Sequence, residues 1–212
     1  MSEVLKKVVL FLLGDSSVGK TSFLTRYANN KYRDMCPPTI GIDSFSKKIA
    51  MPTGEYIYLV LYDTAGQEKY RSISFNLIKG ADGILLMYDI TNRRTFEGIN
   101  TWIEDIKDIK GNDFPIILIG NKIDLNERRI VSEEEGQKIA DDNKFRFIET
   151  SCKEGINIEE SINTLLLRIK KSQENSIKND ENEYCSNIDI KTSFAISEES
   201  SKMETRKTGC CK

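Results

Sequence analysis

The chain has 212 residues, 31 basic and 33 acidic, giving a formal charge of −2 with no histidine. With 39% hydrophobic residues it can bury one good-sized core, which predicts a single folded domain. The composition excludes histidine-based acid–base catalysis and histidine metal ligands, and it offers no electrostatic footprint for nucleic acid.

Residues 4–13 read as a buried strand, because a short apolar run, Val8-Val9-Leu10-Phe11-Leu12-Leu13, is stopped by Gly14. A helix is predicted over 20–29. Residues 30–43 have no apolar period and contain Pro37-Pro38, which predicts a long exposed loop of the kind that carries function. Strands are predicted over 44–50 and 56–62, with Pro52-Thr53-Gly54 turning between them. The runs Gly83–Tyr88 and Pro115–Ile119 are continuously apolar, as central parallel strands covered on both faces must be. Between them, residues 95–110 carry Phe96, Ile99, Ile103, Ile106 and Ile109 at helical spacing. Ser132-Glu133-Glu134-Glu135 is a capping box opening another helix, residues 145–149 form a short strand, and 157–171 form a closing helix. Such alternation of strand and helix predicts a three-layer α/β sheet.

From 172 to 212 the pattern stops. This stretch is rich in Ser, Asn, Glu and Lys, and it has six basic and eight acidic residues, so the preceding core is neutral. It carries too little apolar surface to offset its ordering entropy and reads as a disordered tail. No apolar run reaches the length of a membrane span, and no signal-peptide core opens the sequence. The five cysteines, Cys36, Cys152, Cys185, Cys210 and Cys211, are odd in number and lack zinc spacing, as expected of a reducing compartment.

The first chemical signal is Gly14-Asp15-Ser16-Ser17-Val18-Gly19-Lys20-Thr21, which fits G-x-x-x-x-G-K-[ST], the loop that cradles nucleotide phosphates. Its glycines let backbone N–H groups converge on an anion, and the helix entered through Lys20, Thr21 and Ser22 adds the positive end of its dipole. Lys20 would reach the β- and γ-phosphates and the Thr21 hydroxyl a Mg²⁺ ion. The bland alternative is a glycine-bearing strand-to-helix turn with no ligand. Asp63, at a strand end, is placed to hold Mg²⁺ opposite Thr21. Gly66 has no side chain to keep its N–H from a phosphate, and Gln67 can orient a water. Asp63-Thr64-Ala65-Gly66-Gln67-Glu68 alone would read as a strand-end turn.

Asn121-Lys122-Ile123-Asp124 follows the next central strand. The Asp124 carboxylate can accept two hydrogen bonds from guanine, a donor pair that adenine lacks, so it would select GTP. Asn121 would brace the loops, and the Lys122 stem would cover base and sugar. Ser151, Cys152 and Lys153 follow the last strand, where backbone N–H groups could reach the guanine O6. An ordinary strand-end loop and a helix-entry turn remain open readings of these two short motifs.

Taken in order along one sheet, Gly-Asp-Ser-Ser-Val-Gly-Lys-Thr, Thr39-Ile40-Gly41-Ile42-Asp43, Asp-Thr-Ala-Gly-Gln-Glu, Asn-Lys-Ile-Asp and Thr150-Ser151-Cys152-Lys153 resemble the small GTPases of the Ras superfamily. Lys69-Tyr70-Arg71-Ser72-Ile73, Lys79-Gly80-Ala81 and Met87-Tyr88-Asp89-Ile90-Thr91 look like the Rab branch, regulators of vesicle traffic. The resemblance implies a P-loop GTPase fold, a six-stranded, mostly parallel sheet with helices on both faces, over residues 1–171. It implies a hypervariable tail over 172–212. Thr39 matches the first switch threonine, which ligates Mg²⁺ and senses the γ-phosphate. Tyr32 matches an aromatic at the guanine edge, and Gln67 the glutamine that positions the attacking water. GTP and GDP are then substrate and product, and an exchange factor, a GTPase-activating protein, a GDP-dissociation inhibitor and effectors are partners. The ending Cys210-Cys211-Lys212 is not a C-a-a-X box but is similar to Rab tails that receive two geranylgeranyl groups, implying the cytoplasmic face of an intracellular membrane. Ser44, Tyr62 and Leu77 replace the Phe, Trp and Tyr that effectors read in Rab proteins, and Cys36 and Cys152 replace a Tyr and an Ala. A P-loop kinase or ATPase, a non-hydrolysing binding module and a soluble Ras-branch GTPase are the rival readings; the Asp124 motif, intact Thr39 and Gln67, and the Cys-Cys-Lys ending argue against them in turn.

Overall fold

The computed structural model describes residues 5–33, 39, 42–64 and 78–174. Six strands, β1 (Lys6–Leu13), β2 (Ile42–Ala50), β3 (Tyr56–Thr64), β4 (Gly83–Asp89), β5 (Ile116–Asn121) and β6 (Arg146–Thr150), form one sheet in the order β2-β3-β1-β4-β5-β6. Only β2 runs against its neighbour, β3; the other four pairings are parallel. Helices α1 (Lys20–Asn29), α2 (Arg93–Lys110), α3 (Glu133–Asp142) and α4 (158–174) connect or follow the strands. The mostly parallel α/β sheet is therefore the expected P-loop architecture.

Period-two alternation on the strands separates two apolar layers. Val8, Leu10 and Leu12 of β1 join Phe23 and Leu24 of α1 and Ile158, Ile162 and Leu165 of α4. Phe11 and Leu13 point the other way, into a cluster with Phe96, Ile99 and Ile103 of α2 and Ala140 of α3. The continuous apolar runs of β4 and β5 have buried side chains on both faces, as required of strands enclosed by helices. Parallel register then brings the carboxyl ends of the strands to one edge: Leu12 beside Asp63, Leu13 beside Leu86, Asp89 beside Asn121, and Asn121 beside Thr150. Ligands of open α/β sheets bind at such an edge.

The boundaries depart from the sequence expectations where polar residues do structural work. α2 starts at Arg93 rather than 95, because Asn92 accepts a hydrogen bond from the Arg94 N–H at 3.2 Å and caps the helix ahead of its first apolar residue. β3 continues to Thr64, and β6 covers Arg146–Thr150. A 3₁₀ helix over Ile123–Arg128 was not anticipated; it buries no residue, so it leaves no apolar period to read. The Ser132–Glu135 capping box forms in both directions. By its contacts the chain divides into Met1–Ile169 and Lys170–Lys212. The expected tail lies, from 175 on, outside the described residues, as do half of the loop expected over 30–43 and residues 65–77.

Gly136 tests the packing between α3 and the sheet. Replacing a helical glycine with alanine usually stabilises by about 1 kcal/mol. Here an added Cβ would stand 2.4 Å from the Tyr88 hydroxyl and 2.5 Å from Phe147 Cζ, two rings that are buried and parallel to each other. Gly136→Ala is therefore expected to cost about 1–3 kcal/mol, read as a lower urea midpoint at unchanged slope. A midpoint at or above that of the wild type would contradict this packing.

Candidate functional site

The loop carrying the G-x-x-x-x-G-K-[ST] spacing leaves β1 at Gly14 and enters α1 after Gly19. Both glycines are required by more than their positive φ of 132° and 105°. A Cβ on Gly14 would lie 2.1 Å from the Met87 carbonyl oxygen, and one on Gly19 would lie 2.3 Å from Asn121 Nδ2. Gly19 caps α1 without a side chain, and the helix's own first turn carries no acidic residue. Ser16 and Ser17 are exposed on the loop, Val18 is buried beneath it, and Ser22 lies in the first turn of α1.

Lys20 is 5% exposed, and its ammonium donates to the carbonyls of Gly14 and Asp15, each at 2.7 Å. Burial brings its pKa down to about 8, against the opposing pull of Asp63 and Asp15.

Beside Lys20, three oxygen-bearing side chains converge from three segments. The Thr21 hydroxyl donates to Asp63 Oδ2 at 2.6 Å and lies 2.8 Å from the Thr39 hydroxyl, which is 3.2 Å from the same carboxylate oxygen. Asp63 is fully buried, and its Oδ1 has no hydrogen-bond partner among the described residues. Burial pushes its carboxyl up, while the Thr21 hydrogen bond and Lys20 hold it down. An orphaned buried carboxylate oxygen flanked by hydroxyls fits a hard divalent cation such as Mg²⁺, which binds through one or two carboxylates and completes its shell with phosphate oxygens and water. Among the described residues no group of three or more His, Cys, Asp or Glu forms a metal cage of its own.

At the other end of the site Asn121, 1% exposed, joins three loops. Its Nδ2 donates to the Val18 carbonyl at 2.8 Å, and its Oδ1 accepts from the Thr150 hydroxyl at 3.0 Å and the Cys152 thiol at 3.4 Å. Lys122 has a left-handed backbone, φ 75°, and its ammonium pairs with Asp89 Oδ2 at 2.6 Å. The Ser151 hydroxyl donates to Asp124 Oδ1 at 2.7 Å and accepts from the Glu154 N–H at 3.0 Å. Cys152 is buried, which pushes its thiol up to about 12, so it stays a neutral hydrogen-bond donor. Tyr32 is half-buried against the apolar cluster that includes Val18 and Cys152.

The geometry thus brings together Gly19, Lys20, Thr21, Thr39 and Asp63 at one end and Asn121, Lys122, Asp124 and residues 151–153 at the other. Gly66, Gln67, Leu77, Cys36, Cys210 and Cys211 lie outside the described residues. Ser44 stands directly across β2–β3 from Tyr62, whose ring stacks on Phe11 at 4.9 Å, whereas Phe45 points to the opposite layer, edge-on to Tyr27 at 6.0 Å. Two contacts had no sequence signal. Trp102, which reads as an ordinary core residue of α2, donates its indole N–H to Asp15 Oδ1 at 2.9 Å, and Arg26 bonds to the Cys152–Lys153 turn.

A model of the Ras family matches residues 7–171. The chain is 43% identical over 165 residues to the Ras-related protein RabZ of Dictyostelium discoideum, covering 77% of this chain and 71% of that relative. It is 42% identical over 174 residues to the Ras-related protein Rab-8 of Diplobatis ommata, covering 80% and 82%. With the GTP-binding protein Rab-3D of Rattus norvegicus it shares 45% identity over 157 residues, 74% of this chain and 71% of the relative. A glycine-bearing strand-to-helix loop, a Thr–Asp–Thr oxygen cluster on a buried carboxylate and an Asn-braced strand edge stand on a fold matched along its whole core: the chain belongs to the Ras family, as a small GTPase of Rab type.

Proposed function

We propose that the protein is a GTP-binding and GTP-hydrolysing switch that regulates vesicle transport by recruiting effectors at a membrane. The observation that carries this reading is the meeting of Thr21, Thr39 and the orphaned Asp63 carboxylate beside a buried Lys20. Lys20 would exchange its two carbonyl partners for oxygens of the β- and γ-phosphates, and the first turn of α1 would meet the same phosphates with backbone N–H groups. Thr21, Thr39 and Asp63 would hold Mg²⁺, whose charge neutralises the phosphate oxygens. Asp124 would accept from the guanine edge, Ser151 would hold that carboxylate in place, and backbone N–H groups of Cys152 and Lys153 would meet O6.

Catalysis in this scheme is positional and electrostatic, with no covalent intermediate. Gln67 would orient the water and Gly66 would contact the γ-phosphate. Loss of that phosphate would release the segment bearing Thr39, which is how the nucleotide would be read by effectors. Residues 172–212 would serve as a tether, with Cys210 and Cys211 carrying prenyl chains; two chains anchor stably where one binds only marginally. Among the described residues no helix is long and apolar enough to cross a membrane. An exchange factor, a GTPase-activating protein and a GDP-dissociation inhibitor would drive the cycle between membrane and cytosol. With Ser44 and Tyr62 paired across β2–β3 in place of the Phe and Trp usual in Rab proteins, the effector set would differ from theirs.

The hydrolytic role is tested by single-turnover GTP hydrolysis of the purified chain without any activating protein. Slow wild-type turnover, slowed further in Gln67→Leu while GTP binding persists, is expected. Turnover within seconds, or an unchanged variant, would contradict the scheme. Lys20 gives a pH signature. Without phosphate its pKa is about 8, below its ordinary 10.5, and a neighbouring phosphate raises it again by favouring the charged form. Nucleotide binding should therefore take up protons above pH 8 and few near pH 7, so affinity weakens as pH rises through that range. Calorimetry of GDP binding in two buffers of different ionisation enthalpy should show this uptake at about pH 8.5 and not at about pH 7. Equal uptake at both would rule out Lys20 as the titrating group.

A further inference from the structure

Arg26 stands in the last turn of α1, where a basic side chain ordinarily does no more than cap its own helix. Its Nη1 does bond to the Asn30 carbonyl and side-chain oxygen, at 3.2 and 3.3 Å. The rest of the guanidinium faces a segment more than a hundred residues away. Nε donates to the Cys152 carbonyl at 2.7 Å and Nη2 to the Lys153 carbonyl. The Arg26 stem passes 3.7 Å from the position a Cβ would take on Gly155, whose φ of +78° turns the chain back at that point.

A rigid planar fork that holds two consecutive carbonyls fixes two consecutive peptide planes. In a trans peptide the N–H points opposite to the C=O, and the chain has no cis bond among the described residues. With the Cys152 and Lys153 carbonyls turned toward Arg26, the N–H groups of Lys153 and Glu154 are turned away from it. The Glu154 N–H marks where that side faces: it donates to Ser151 Oγ, which donates to Asp124 Oδ1. The turn is thus held from behind by Arg26 and presents its N–H side toward Asp124.

We infer that Arg26 is a positioning residue for purine recognition, aiming the Lys153 N–H at the 6-oxo group of guanine and fastening that turn to the end of α1. The inference rests on the guanine site proposed above. Lysine cannot replace it fully, since a point charge with no planar fork cannot hold two carbonyls in one plane.

The test compares release of GDP and 6-thio-GDP from the full-length protein with Mg²⁺, followed as exchange against excess GTP. Sulfur is a weaker acceptor than oxygen, so the wild type should release 6-thio-GDP roughly three- to tenfold faster than GDP. Arg26→Met should raise GDP release by a similar factor, roughly three- to tenfold, and bring the two ligands to nearly equal rates. Arg26→Lys should narrow the difference part-way and serves in its place if Arg26→Met does not fold. Unchanged GDP release in both variants, or an equal acceleration of both ligands, would overturn the inference, the latter because a merely structural loosening is blind to the atom at position 6. Release of ADP from the wild type as slow as that of GDP would overturn the guanine site itself, and the role of Arg26 with it. A wild type that prefers GDP alongside variants with the wild-type thio ratio would overturn the role of Arg26 alone.

Discussion

The side-chain amide of Asn121 is the joint between the two halves of the site. It sits at the end of β5, donates to the backbone of the phosphate loop and accepts from the hydroxyl and thiol that follow β6. Because it is 1% exposed, none of these bonds has water as a substitute, and losing the amide would leave the Val18 carbonyl and the Thr150 hydroxyl buried without partners. The same amide dictates Gly19: any side chain there would collide with Nδ2. A residue usually explained by backbone freedom in the phosphate loop is thus also explained by close approach to a strand end 102 positions further on.

Around this joint the charges are arranged for a ligand. Burial pushes Lys20 and Asp63 each toward its neutral form, and each is restrained by the other's charge. The core has equal numbers of acidic and basic residues, so no general field draws phosphate to it. Attraction must come from a few preorganised groups, the loop N–H groups and one buried ammonium, while the unanswered carboxylate oxygen of Asp63 suits a cation. Paired perturbed groups of this kind, at the carboxyl edge of a sheet, mark a candidate binding site.

Much of this architecture was legible in the amino-acid sequence because it rests on short-range rules. The apolar runs of β4 and β5, the period of α2 and the capping box of α3 each declare themselves within a few residues. The phosphate loop, Asp63 and the Asn121–Asp124 motif declare themselves by residue type and spacing. What escaped is the tertiary part. Gly136 looks like a weak point in a helix until Tyr88 and Phe147 are seen against it. Trp102 looks like core until its N–H meets Asp15, and Arg26 looks like a surface cation until two distant carbonyls meet it. The 3₁₀ helix after Lys122 buries no residue, so the polar sequence that forms it has no period to betray it.

Function in this scheme requires one site to accept a guanine nucleotide and a divalent cation together, with Asp124 and Asp63 at its opposite ends. The most direct test is equilibrium competition between GTP and ATP for the purified chain, with Mg²⁺ and after chelation by EDTA. GTP should bind in the presence of equimolar ATP, ATP should not displace it, and chelation should weaken GTP binding sharply. Equal competition by ATP, or GTP binding indifferent to chelation, would contradict this scheme.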